Sequence, residues 1–243
     1  LLENQYFDTP DSILFALGVA LRTRFKRGSY EMTVKIKKPD EGIVSVRQEW
    51  NIALPSNELD YEKLLALPLP ELVLQTIEKR RLGPSFMNKF ERTDWYVTSD
   101  DTTTMISLDV GSVESGNRFS PVFELELELI RGEVDLLVDL GLRLSDKLPS
   151  FMAVISKAER GERVLRDQIP TLDTHPTNRL GWLYRLSRAL DPLSGPDSLA
   201  AFEALVQCGD PVAVASFGEP LARGEVPLGL ARWMMLYSLE ICQ

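Results

Sequence analysis

Residues 123 to 129 read Phe-Glu-Leu-Glu-Leu-Glu-Leu, which sets Glu124, Glu126 and Glu128 two apart among large apolar residues. In a β-strand, side chains alternate faces, so the three carboxylates share one side and the apolar residues the other. Same-face neighbours lie roughly 7 Å apart, where two like charges repel by about 2 kcal/mol at an effective dielectric near 20. Such a face must look onto bulk water or onto cations. Other segments alternate in the same way with charge of either sign. Arg22 and Arg24 interleave with Leu21, Thr23 and Phe25, and Lys35 and Lys37 with Val34 and Ile36. Arg47 and Glu49 share a face, Asp109 follows Leu108, and Lys157 lies in Ser-Lys-Ala-Glu-Arg-Gly. Each pattern alone describes a solvated sheet face. Together they suit a barrel with an ionic, wet interior that takes a polyanion with divalent cations. Arginine and lysine hold phosphate oxygens, and glutamates hold Mg2+ or Mn2+ through hard oxygen donors.

The elements that would position these residues are mostly strands up to about residue 130. Segments 19–25, 30–37, 43–54, 92–99, 103–113 and 122–130 alternate and are separated by Gly, Pro, Asp and Asn, the pattern of an antiparallel, hairpin-connected sheet. Helical periodicity covers 60–80, with a break near Pro68 and Pro70, and 132–146. Thr9 as N-cap, Pro10 in the first turn and Gly18 as a stop predict a short helix before the first of those strands. The composition changes near residue 170: five arginines, no lysines and eight acids follow it. Segment 169–178 reads as a linker, and 178–190, 196–208, 210–218 and 227–242 as helices.

Bulk composition removes several classes of function. The 243 residues carry a net charge of −9, which argues against generic nucleic-acid or membrane-surface binding. No apolar run reaches transmembrane length. The single histidine, His175, leaves little room for histidine catalysis or histidine metal sites, and two cysteines form no metal spacing or disulfide framework. A reducing cytoplasm is the expected compartment. There is no G-x-S-x-G, no Cys–His pairing and no P-loop.

Read in order, YFDTPD (6–11), LRTR (21–24), TVKIK (33–37), RQE (47–49), the pair Lys89 and Arg92, SLDVG (107–111), FELELEL and SKAERG (156–161) resemble a CYTH domain, of the triphosphate tunnel metalloenzyme superfamily. The resemblance covers roughly residues 3–166. It implies an α+β fold: an antiparallel eight-stranded tunnel with flanking helices over 1–168, then a helical region over 176–243. It implies that Arg22, Arg24, Lys35, Lys37, Arg47, Lys89, Arg92 and Lys157 bind triphosphate. Glu124, Glu126 and Glu128 would bind Mg2+ or Mn2+, with Glu49 and Lys157 at the chemistry and Asp109 orienting a basic neighbour. The family's opening E-x-E-x-K strand has no counterpart here, so the tunnel is expected to lack its first strand. The implied activity is metal-dependent hydrolysis of inorganic triphosphate. The alternatives are an adenylate cyclase acting on a nucleoside triphosphate and a non-catalytic triphosphate- or polyphosphate-binding module. The appended helices resemble the position of a CHAD domain in long bacterial triphosphatases. With only His175 and five arginines, they read as the start of such a domain or as a bundle that packs on the barrel.

Overall fold

A computed structural model describes residues 1–26, 28–37, 47–167, 176, 178–191 and 197–241. Its centre is one antiparallel sheet of seven strands, β1 (Leu2–Asp8), β2 (Val19–Lys26), β3 (Ser29–Lys37), β4 (Arg47–Leu54), β5 (Gly83–Ser99), β6 (Thr102–Ser115) and β7 (Arg118–Arg131). They are ordered β4-β3-β2-β1-β5-β6-β7, so β4 and β7 form the edges of the described sheet. The sheet curls into a half-barrel. Glu126 of β7 exerts its charge on Lys35 of β3, five strands away in that order.

Alternation sorts the residues as the sequence predicts. On the convex side of β2–β4, Val19, Leu21, Met32, Val34 and Leu54 are buried against two helices, α2 (Tyr61–Leu65) and α3 (Glu71–Lys79). The expected break falls between these helices, where Pro68 and Pro70 interrupt the backbone pattern. Asp60 caps α2 by accepting from Lys63 N at 3.0 Å.

Some elements differ from the sequence reading or were not assigned by it. The short helix α1 (Ile13–Ala16) is not capped as predicted: Ser12 holds the N-cap position with φ 55°. The orphan amides go instead to Asp8, whose carboxylate accepts from Leu14 N and Phe15 N at 2.9 Å each and from Thr9 N at 2.6 Å. Thr9 Oγ1 takes only Ile13 N. Strand β5 begins at Gly83, nine residues before the predicted start, because buried Asn88 between Phe86 and Phe90 hides the apolar alternation. Finally, SKAERG opens a helix, α5 (Lys157–Arg166), with Ser156 as its cap, accepting from Glu159 N at 3.2 Å.

Helix α5 lies on the concave face. Its Val164 packs with Tyr6, Phe86, Val113 and Val122, which alternation places on the same side of the sheet as the charged residues. Gly161 permits the approach: a Cβ there would stand 1.9 Å from the Phe86 ring. Helix α4 (Val134–Ser145) packs against the end of β7 and against α9 (Leu230–Ile241). With α6 (Arg179–Leu190), α7 (Ser198–Gln207) and α8 (Pro211–Ala222), α9 forms a second core around Leu186, Leu205, Leu221 and Met234. Most of the predicted linker, the first residues of segment 43–54 and His175 lie outside the described residues. Among the described residues, no helix is long and apolar enough to cross a membrane.

Candidate functional site

The strand registers decide which charges meet. Arg22 stands opposite Tyr6 and Thr33, Lys35 opposite Glu49, and Thr33 opposite Asn51. Arg22, Arg24, Lys35, Lys37, Arg47 and Glu49 therefore share the concave face of one half of the sheet. Across the curl, Arg92 stands opposite Asp109, and Asp109 opposite Glu124. Glu124, Glu126 and Glu128 line the same face of β7.

The acidic half is tied into a knot. Lys157 Nζ lies 2.6 Å from Glu124, 2.7 Å from Glu126 and 2.8 Å from Asp109. Arg92 grips Asp109 with two bonds of 2.6 Å and reaches Glu126 at 2.5 Å. Phe90 sits beneath both cations, with its ring centroid 5.4 Å from Lys157 Nζ and 5.6 Å from the Arg92 guanidinium carbon. Gly111 leaves room for it, since a Cβ there would come within 2.5 Å of Phe90 Cα.

Burial works against every charge in the knot, and partners decide the outcome. Burial raises the Glu126 carboxyl, but Lys157 and Arg92 outweigh it and hold the pKa at about 2. Burial lowers Lys157, yet Glu126, Glu124 and Asp109 push it above the ordinary lysine range. Arg92 is likewise raised by Asp109 and Glu126 against its desolvation.

The basic half differs. Lys35 pairs with Glu49 at 2.6 Å, but burial, and then the Arg22 charge, still lower its pKa. Burial would raise Glu49, and Lys35 and Asn51 hold it below the usual carboxylate range. Arg22 is only 8% exposed, and its Nε has no hydrogen-bond partner among the described residues. Arg24 donates to the neutral Asn4 at 2.9 Å.

Not every predicted residue takes its expected place. Lys89 pairs opposite Glu3 and shares the face of Met87 and Glu91, so it points to the convex side, away from Arg92. Positions three apart on a strand have opposite parity. Arg47 was expected beside Glu49 or a phosphate; it stands opposite Lys37 at the exposed end of β3 and β4, while Glu49 goes to Lys35. Glu128 is exposed beyond the knot.

Sequence reasoning missed Arg160 and Asp191. Arg160, 3% exposed, lies three residues after Lys157 on the same helix face and donates to Pro121 O at 2.9 Å. The SKAERG motif contained that signal. Asp191, at the end of α6, carried none.

A divalent cation would need hard oxygen donors here. Among the described residues, no group of three or more His, Cys, Asp or Glu side chains has the arrangement of a metal cage. Two carboxylates suffice for Mg2+ when substrate oxygens and water supply the remaining ligands. Glu124 and Glu126 fit that case. Glu124 Oε1 is buried and accepts no hydrogen bond, with the Arg160 guanidinium 3.2 Å away, and the Glu126 side chain is 45% exposed.

The model of the CYTH domain matches residues 1–161. An inorganic triphosphatase of Haemophilus influenzae is 28% identical over 160 residues, which is 66% of this chain and 45% of that protein. The chain thus spans less than half the length of this relative. Among solved structures, HpAC1 from Hippeastrum, named for adenylyl cyclase and described as having a dominant triphosphatase activity, is 18% identical with a TM-score of 0.44, over 72% of this chain and 86% of that one. The PH1819 protein from Pyrococcus horikoshii OT3 is also 18% identical, with a TM-score of 0.28 over 68% and 73% of the two chains. With the family match running from β1 into the helix that carries Lys157, the chain belongs to the CYTH domain family.

Proposed function

We propose that the protein hydrolyses the terminal phosphoanhydride of inorganic triphosphate in the concave groove, with Mg2+ or Mn2+ as cofactor and the reducing cytoplasm as its compartment. The observation that carries this reading is the division of one sheet face. Arg22, Arg24 and Lys35 offer cations that carboxylates only partly neutralise, and they face an acidic half bridged by Lys157 and Arg92. A linear polyanion satisfies the first half and brings its terminal phosphoryl group to the second.

In this reading Arg22, Arg24 and Lys35 bind non-bridging oxygens and fix the chain of phosphates. Lys37 and Arg47 attract the anion at the open end. Lys157 and Arg92 stand where charge develops on the transferred group and stabilise it there. Glu49, held below its usual pKa, is a weak base, and its part is to orient Lys35. Glu124 and Glu126 would hold a divalent cation, which would supply Lewis acidity toward phosphoryl oxygens and lower the pKa of bound water. Glu128 lies at the rim of that pair. The helical region over 176–243 is read as a bundle that packs on the tunnel domain.

A phosphate-release assay over triphosphate, thiamine triphosphate, ATP and longer polyphosphates, with Mg2+ and with Mn2+, tests the reading. Orthophosphate from triphosphate, strongly reduced by Arg22→Ala, is the expected result. Cyclic AMP from ATP without triphosphate turnover would replace it with the cyclase. Tight triphosphate binding with no turnover would leave a binding module.

A further inference from the structure

Arg160 stands between two carboxylates that belong to different parts of the chain. Its Nη2 donates to Asp191 Oδ2 at 2.8 Å and lies 3.2 Å from Glu124 Oε1 without forming a hydrogen bond to it. All three groups are nearly sealed from water: the side chains of Arg160, Asp191 and Glu124 are 4%, 2% and 15% exposed. One nitrogen is thus shared unequally, and the shorter, better aligned contact goes to the helical region. A second contact fastens the same region to the segment that leads into α5. Ser187 Oγ donates to Met152 O at 2.5 Å and accepts from Val154 N at 3.2 Å.

We infer that Asp191 is a positioning residue for the groove: by drawing Arg160 toward itself, it keeps Glu124 Oε1 free of a hydrogen bond, so that the carboxylate can turn to a divalent cation. The inference rests on the proposed function only in taking Glu124 as a cation ligand. Its chemistry is competition. A guanidinium hydrogen-bonded to a carboxylate oxygen occupies the lone pair that a metal ion needs. With Asp191 in place, Arg160 spends its Nη2 on α6, and the Glu124 oxygen stays without a hydrogen bond. Without the Asp191 charge, Glu124 becomes the nearest anion to Arg160, and the two close into a direct pair. The helical region thereby acts on the groove through one arginine, and partners behind metal ligands commonly set metal affinity in this way.

Mn2+ binding to the full chain without substrate, followed by calorimetry and by the electron paramagnetic resonance of the free ion, tests the inference. Asp191→Asn should weaken Mn2+ binding on the order of 10-fold. Asp191→Glu should restore most of the affinity. The double variant Asp191→Asn with Arg160→Gln removes the competitor and should return binding to at least the original level, although it removes a second buried contact. A purely structural role predicts the opposite order, with the double variant weaker than the single. That order, or an Asp191→Asn affinity within twofold of the unchanged chain, overturns the inference. So does the absence of Mn2+ binding by the unchanged chain. In that case triphosphate binding measured without metal still judges the proposed function separately.

Discussion

Lys157 Nζ donates to Glu126 Oε1 at 2.7 Å, although the two residues lie 31 positions apart and on different kinds of element. The contact joins the first turn of α5 to the last described strand. It places one buried ammonium against a row of carboxylates that would otherwise repel one another.

Removing the ammonium exposes that repulsion. Lys157→Ala leaves Asp109, Glu124 and Glu126 without their common cation. Breaking a buried pair of this kind costs about 3–5 kcal/mol. Urea denaturation should show the loss, and triphosphate hydrolysis should fall by at least about 100-fold with it. A stable, active Lys157→Ala protein would show that the knot is not the reaction centre.

Acid acts through Glu126. Its carboxyl is ordinary, at 4.5, in the unfolded chain and held at about 2 in the fold. A depressed carboxyl contributes stability that is fully present above the unfolded value and disappears as pH falls through the folded one. The difference in melting temperature between the unchanged chain and Glu126→Gln should be constant from neutrality to about pH 5, then shrink toward pH 2. Water screens this half-exposed side chain, so the contribution is smaller than the full shift implies. A difference that is flat through this range would contradict the pairing.

Alkali acts through Lys35, whose ammonium is made more acidic than an ordinary lysine by burial and by Arg22. The protonated form binds anions. Triphosphate affinity, measured by calorimetry, should therefore weaken as pH rises, with a midpoint below the ordinary 10.5. Lys35→Arg, which keeps its charge, should flatten that dependence.

Space, not charge, limits Gly161. A methyl group there would meet the buried Phe86 ring, which stacks on Tyr6 at 4.5 Å between centroids. Gly161→Ala should cost about 1–3 kcal/mol. It should also lower kcat by tilting α5 and withdrawing Lys157. Adding Phe86→Leu opens the space and should recover part of both; no recovery would mean that the helix is held elsewhere.

The alternation of charged with apolar residues in β2, β3, β4 and β7 was legible in the sequence, because a strand's side-chain period is a property of adjacent residues. Ordered motifs likewise pointed to the tunnel family. The same local period could have moved Lys89 away from Arg92, since three positions reverse the face; reading the two as a motif pair obscured that parity. The early start of β5 was hidden by Asn88, a polar residue whose burial depends on Asn4, Phe86 and Phe90 around it. Partner choice was the part that required the fold. Lys157 meets Asp109, Glu124 and Glu126, and Arg160 meets Asp191, across separations of 31 to 48 residues. Such pairs depend on the curl of the sheet and on a glycine narrow enough to let α5 enter it. A chain's neighbours dictate which side of a strand a charge takes; only the closure of distant segments dictates what stands opposite.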